Sequence, residues 1–262
     1  MPSTDADSRL PLLLFHAYPL DSRMWDGVRA ALAEDVRLIT PDQRGMGGTP
    51  LSEGDTTPPA PDLAVAAADA IALLDRWGIE RAIVGGASMG GYVAMALLRL
   101  APERVAGLLL VDTKAEADDE GPRAVRLAAA DRAEQEGTEG WLADGMLPKL
   151  VGATTHRSRP LVVERVTELI GSQPASGVAW AQRAMADRPD SGNALRAAGL
   201  PTLIVVGEQD ELSPPGPAME LAESLLQGEI AVIPDAGHLV PLEDPDGFLS
   251  VVRPWLARRR GA

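Results

Sequence analysis

Short, continuous apolar runs alternate with stretches in which apolar residues return every three or four positions. The runs are Leu10 to Phe15, Val36 to Thr40, Arg81 to Ala87, Val105 to Val111, Pro201 to Val206 and Glu229 to Ile233. Runs of this length without polar alternation are the pattern of strands covered on both faces by helices. Between the first two, Asp21-Ser22 supplies a helix N-cap, and Met24, Val28, Ala31 and Leu32 follow at helical spacing. The chain through Pro61 is rich in Pro, Gly and Thr and reads as loop. Asp62 then caps a helix whose buried face is Leu63, Ala67, Ala70, Ile71 and Leu74, and Gly78 ends it. Gly90 to Leu100, Pro217 to Leu226 and Asp246 to about Ala257 complete the regular helices. Residues 1–9 read as a flexible leader.

The rhythm changes between Lys114 and Asp190, where no strand-like run occurs. Helices are predicted over 122–136, 139–149, 160–171 and 174–187, broken by Gly137, Pro148, Pro160 and Pro174. This segment is either a second small domain or an insertion over the sheet. Strands on both sides of it favour the insertion. The expected class is therefore α/β: a mostly parallel sheet of about six strands flanked by helices. The core is 1–113 with 191–262, and 114–190 is helical.

Charge and composition narrow the partners. The chain has 24 basic against 38 acidic residues and a net charge of −14, a field that repels nucleic acid and anionic membrane. It contains no cysteine and three histidines, which excludes disulfides and thiolate chemistry and leaves little for a metal site. The acidic start is the reverse of a signal peptide, and no apolar run is long enough to span a membrane. A cytoplasmic protein acting on a small molecule is the expectation, with oligomeric state open.

Ligands of open parallel sheets bind at the carboxyl ends of the strands. The residues just past those ends are His16-Ala17-Tyr18, Asp42, Ser88, Asp112, Asp210 and His238. Ser88 stands in G-x-S-x-G between a strand and a helix, with Gly85, Gly86, Ala87, Gly90 and Gly91 around it. Taken alone, this fits a Gly-rich turn with an incidental serine as well as a strained turn that presents a nucleophile. A serine nucleophile requires a base within reach and a carboxylate to orient the base. His238, in a loop between the last strand and the last helix, suits the base. Asp210 is the preferred acid and Asp112 the alternative. Asp42 reads as a salt-bridge partner of Arg44, His16 as a packed residue bonding loop backbone, and His156 as a surface residue.

Four stretches then resemble one family. HAYPLDSRMW resembles an H-G-[aromatic]-P loop, PDQRGMGGT a D-x-R-G-x-G-x-[ST] loop, GASMGG a nucleophile elbow and DAGHLVPLEDP a histidine loop. Their order is that of the α/β-hydrolase fold, serine-nucleophile branch, and PLDSRMW is most similar to lactonases and esterases of the 3-oxoadipate enol-lactonase type. The resemblance implies Ser88 as nucleophile, His238 as base and Asp210 as acid, with the backbone N–H groups of Tyr18 and Met89 as an oxyanion hole. It implies that 114–190 is a helical cap, with Trp141, Met146, Trp180 and Met185 as candidate pocket lining, and that neither metal nor cofactor is needed. The implied activity is hydrolysis of a small ester or lactone. Alternatives are a thioesterase, a C–C bond hydrolase or a cofactor-free perhydrolase on the same triad, or a non-catalytic receptor. Epoxide hydrolase and haloalkane dehalogenase resemblances require Asp at the position of Ser88. Three departures stand out: Ala17 replaces the family's Gly, Ala87 precedes the nucleophile, and the usual N-terminal β-hairpin is missing or reduced.

Overall fold

The computed structural model describes residues 10–52, 54 and 56–259; the predicted leader, 1–9, lies outside the described residues. Among the described residues, six strands form one wholly parallel sheet: β1 (Pro11–Phe15), β2 (Arg37–Ile39), β3 (Ala82–Ala87), β4 (Val105–Val111), β5 (Thr202–Gly207) and β6 (Gly228–Ile233). Their spatial order is β2-β1-β3-β4-β5-β6. The expected strand count holds, and the three-residue β2 forms one edge. The central strands are sheathed on both sides, so every residue of β3 and β5 is buried; this is why their sequences show no polar alternation.

The chain runs outward from β1 to β2 and returns across β1 to β3. That reversal places a crevice beyond the carboxyl ends of β1 and β3. Register brings the ends level: Phe15 pairs with Gly86, Ala87 with Val111, Val111 with Val205, and Gly207 with Ile233. The loops that follow these residues therefore share one edge of the sheet.

Helix α1 (Asp26–Asp35) is entered through a 3-10 turn, Ser22–Trp25, whose N-cap Asp21 accepts from Arg23 N–H. Met24, Val28 and Leu32 are fully buried. Helix α2 (Leu63–Arg76) begins at Asp62, which accepts from Ala64 N–H, and Gly78 follows it at φ +64°. Helix α3 (Met89–Leu100) leaves β3 directly and packs against α2.

Six helices lie between β4 and β5: α4 (Glu120–Glu136), α5 (Trp141–Leu150), α6 (Ala153–Ser158), α7 (Pro160–Gly171), α8 (Ala175–Ala186) and α9 (Gly192–Ala198). Four match the predicted ones. Pro148, expected as a break, lies inside the last turn of α5; there it removes one backbone bond, and Val151 N–H to Leu147 O still closes the turn. The sequence of α6, ATTHRS, has no apolar period, and the helix depends on contacts from elsewhere, described below. Helices α10 (Pro215–Ser224), α11 (Val240–Glu243) and α12 (Pro245–Ala257) complete the chain, and α12 packs on α1. Among the described residues, no helix is long and apolar enough to cross a membrane.

Candidate active site

Ser88 stands between β3 and α3 with φ 50° and ψ −114°, a conformation that side-chain-bearing residues avoid. Crowding makes the turn possible only with glycine beside it. A Cβ on Gly86 would come within 2.5 Å of the Gly90 backbone, and one on Gly90 within 2.2 Å of Phe15 O. The turn is held from below by Ser88 N–H donating to Val111 O (2.9 Å) and by the Thr113 hydroxyl donating to Ser88 O (2.8 Å).

Two further loops converge on the serine. His238 Nε2 lies 2.8 Å from Ser88 Oγ, and its Nδ1 lies 2.8 Å from Asp210 Oδ2. With Nδ1–H donating to the carboxylate, Nε2 is left as the acceptor for the serine O–H. The other carboxylate oxygen, Asp210 Oδ1, accepts from Leu212 N–H (2.8 Å) and Ser213 N–H (2.9 Å). Burial opposes the charge on Asp210, but His238 and these two N–H groups outweigh it and hold its pKa below the usual carboxylate value. Ser88, Asp210 and His238 are thus brought together as expected.

Asp112 is not part of this chain of bonds. Its carboxylate accepts from Gly207 N–H and Val240 N–H, both at 3.0 Å. It is fully buried, and desolvation together with the charge of Asp210 pushes its pKa well above normal. Asp42 likewise departs from expectation. Arg44 reaches Asp69 (2.6 Å), while Asp42 accepts from Ser22 N–H and Gly48 N–H and so ties two loops together. His16 does bond loop backbone: its Nδ1–H faces Ala17 O and its Nε2 accepts from Gln43 N–H (2.9 Å). His156 is exposed. Ala17 sits buried with its N–H on Met24 Sδ, and the Tyr18–Pro19 bond is cis. Met89 opens α3, where a first-turn N–H has no helical partner. Among the described residues, neither its N–H nor that of Tyr18 donates to a protein acceptor.

Ser88 and His238 open into a cleft of about 550 Å³. Trp141, Met146 and Met185 line it, as expected, but Trp180 does not. Its indole N–H donates to Pro59 O, which turns the ring into the packing between α8 and the loop before α2.

A family model described as alpha/beta hydrolase fold matches residues 11–245. The chain belongs to this family. A thermophilic esterase from Thermogutta terrifontis superposes with a TM-score of 0.90 at 40% identity, covering 96% of this chain and 90% of that one. The protein provisionally named non-heme bromoperoxidase BpoC in Mycobacterium tuberculosis is 30% identical over 250 residues, 88% of this chain and 86% of its own. The 3-oxoadipate enol-lactonase 1 of Acinetobacter baylyi is 27% identical over 250 residues, 92% of this chain and 86% of its own.

Two features of this α/β hydrolase's site were not found in the sequence. One is the polar part of the cleft, where Lys114, Arg126 and Gln182 join from β4's end, α4 and α8. Lys114 lies just past the end of β4 and so carries a signal in the sequence; Arg126 and Gln182 meet only through the packing of α4 on α8.

The other is Glu243, which is buried in α11 and accepts four hydrogen bonds. Oε1 takes Gly237 N–H (2.9 Å) and Leu239 N–H (3.1 Å), the two residues flanking His238. Oε2 takes Gly152 N–H (2.8 Å) and the Thr155 hydroxyl (2.6 Å) at the start of α6. One carboxylate thus fixes the histidine loop and anchors a helix with no apolar face of its own. A glutamine could face its NH2 toward Thr155, whose hydroxyl can turn to accept, but Gly152 N–H would then be orphaned. Glu243→Gln is expected to destabilise the protein by about 1–3 kcal/mol and to lower Tm in a thermal melt. An unchanged Tm would show that the carboxylate is not the anchor.

Proposed function

We propose that the protein is a serine hydrolase of carboxylic esters or lactones. The observation that carries this reading is the unbroken hydrogen-bond chain from Asp210 through His238 to Ser88 at the floor of the cleft. Ser88 Oγ attacks the substrate carbonyl carbon while its proton passes to His238 Nε2. Asp210 stabilises the resulting imidazolium and fixes the ring's tautomer. Charge developing on the carbonyl oxygen is met by the N–H groups of Tyr18 and Met89, worth roughly 10²–10³ in rate per donor. His238 then protonates the departing oxygen, leaving an acyl group on Ser88. A water deprotonated by the same Nε2 releases the acid and restores the serine. A lactone follows the same path with the leaving oxygen still tethered.

The helices of 114–190 act in this reading as a cap, since α4, α5 and α8 supply the roof of the cleft, and 1–113 with 191–262 act as the core. The likeness to an esterase and to an enol-lactonase supports the oxyester and lactone class over thioester or C–C cleavage. Hydrolysis of a matched oxyester, lactone, thioester and vinylogous diketone, together with labelling by a fluorophosphonate, tests the reading. The oxyester or lactone is expected to turn over fastest and Ser88 to be labelled. A faster thioester or diketone would move the assignment to that reaction. Absence of both turnover and labelling would leave a binding protein on a hydrolase scaffold.

A further inference from the structure

The chain contains only two lysines, Lys114 and Lys149, and both line the cleft that holds Ser88 and His238. They arrive from unrelated elements: Lys114 from the segment after β4, and Lys149 from the last turn of α5. Arg126, on α4, lines the same cleft. Two carboxylates also do, and they must be set against these charges. The Asp118 carboxylate is buried and already held by two guanidinium groups, Arg126 Nε at 2.5 Å and Arg188 at 2.7 Å, with Lys114 farther off at 3.9 Å. Its charge is therefore more than balanced. Glu211 and Lys149 are both exposed, where solvent screens them alike; with that pair set aside, Lys114, Arg126 and Arg188 still outnumber Asp118. Lys149 has no ion-pair partner among the described residues. In a chain of net charge −14, this cleft carries a local excess of positive charge.

A second, independent feature points the same way. The Tyr18 hydroxyl, on a side chain only 3% exposed, lines the cleft and makes no hydrogen bond of proper geometry among the described residues. Burial raises its pKa, with Gln182 and Arg126 close enough to offset that only in part, so it remains a protonated donor. A buried donor left without an acceptor costs free energy. The group that satisfies a phenol O–H, ammonium and guanidinium together accepts only, carries negative charge and is compact.

We propose that Lys114, Lys149, Arg126 and the Tyr18 hydroxyl form an anion subsite that takes a free carboxylate on the substrate, so that the preferred ester or lactone is an acidic one. The identity of the reacting bond rests on the hydrolase reading above; the charge preference does not. The binding test accordingly needs no turnover. Straight-chain diacids of about four to eight carbons and their diamides are titrated calorimetrically into the wild-type protein and into the Lys114→Met/Lys149→Met variant. At least one diacid is expected to bind the wild type tenfold or more tightly than its diamide, equivalent to about 1.4 kcal/mol. The double variant is expected to lose that preference. Equal binding of diacids and diamides by the wild type, or a preference that survives the double substitution, overturns the proposal. Lys149→Glu gives a check that does not depend on the double variant's fold: the ratio of kcat/KM for an ω-carboxylate ester over its ω-ammonium counterpart should fall tenfold or more. An unchanged ratio there also overturns it. If no ester is turned over at all, the hydrolase reading fails and the titrations still decide the subsite.

Discussion

Ser88→Ala is expected to lower kcat for a turned-over ester by about 10⁶, or about 8 kcal/mol of transition-state stabilisation. The substitution removes one atom, Oγ, which is the only atom of Ser88 bonded to His238. The backbone bonds that hold the turn, from Ser88 N–H to Val111 O and from Thr113 to Ser88 O, do not involve it. The fold should therefore survive, with Tm near that of the wild type. The loss is then a loss of nucleophile. Residual rate of about 10³–10⁴ over water is expected from the remaining oxyanion donors and binding alone. Steady-state kinetics on the purified variant, with fluorophosphonate labelling alongside, measures both. A variant that kept more than about a hundredth of the wild-type kcat would mean that another group attacks the carbonyl, since no positioning effect alone leaves so much activity.

Where the sequence was informative, one physical rule acted locally. Strands buried on both faces must be apolar throughout, so β3, β4 and β5 could be read directly, and the residues just past them had to share an edge. The rule puts Ser88, Asp112 and Asp210 on one edge, and His238, in the loop after β6, joins them there. The elbow was legible for a related reason: Gly86 and Gly90 leave no room for a Cβ, so the glycines record a backbone approach. What could not be read depends on contacts distant in sequence. Helix α6 has no amphipathic pattern because Glu243, 88 residues from Thr155, holds it. Trp180 had the composition of a lining residue, yet its N–H found Pro59 O, 121 residues away. The pairing of Arg44 followed the same logic: proximity in sequence suggested Asp42, but α2 brings Asp69 to the guanidinium.

The choice between Asp210 and Asp112 was open in the sequence, and the two substitutions should have opposite signatures. In Asp210→Asn, Oδ1 can keep its bonds from Leu212 and Ser213 N–H, which leaves the amide NH2 facing His238 Nδ1. A donor there forces the imidazole to accept at Nδ1 and to carry its proton on Nε2. That proton then points at Ser88 Oγ, and the ring can no longer take the serine's proton. The expected result is a fall in kcat of about 10⁴ with the geometry intact. In Asp112→Asn, the carboxylate accepts one backbone N–H at each oxygen, so the amide must present its NH2 to either Gly207 or Val240. One buried N–H is left unpaired, at a cost of about 1–3 kcal/mol in stability. No atom of Asp112 reaches His238 by a hydrogen bond, so the rate should change far less than for Asp210→Asn. Paired measurements of kcat and of unfolding free energy on both variants separate the roles. If Asp112→Asn lost as much rate as Asp210→Asn while remaining stable, the orienting charge on the histidine would have to come through Asp112. The hydrogen bond between Asp210 and His238 would then be structural.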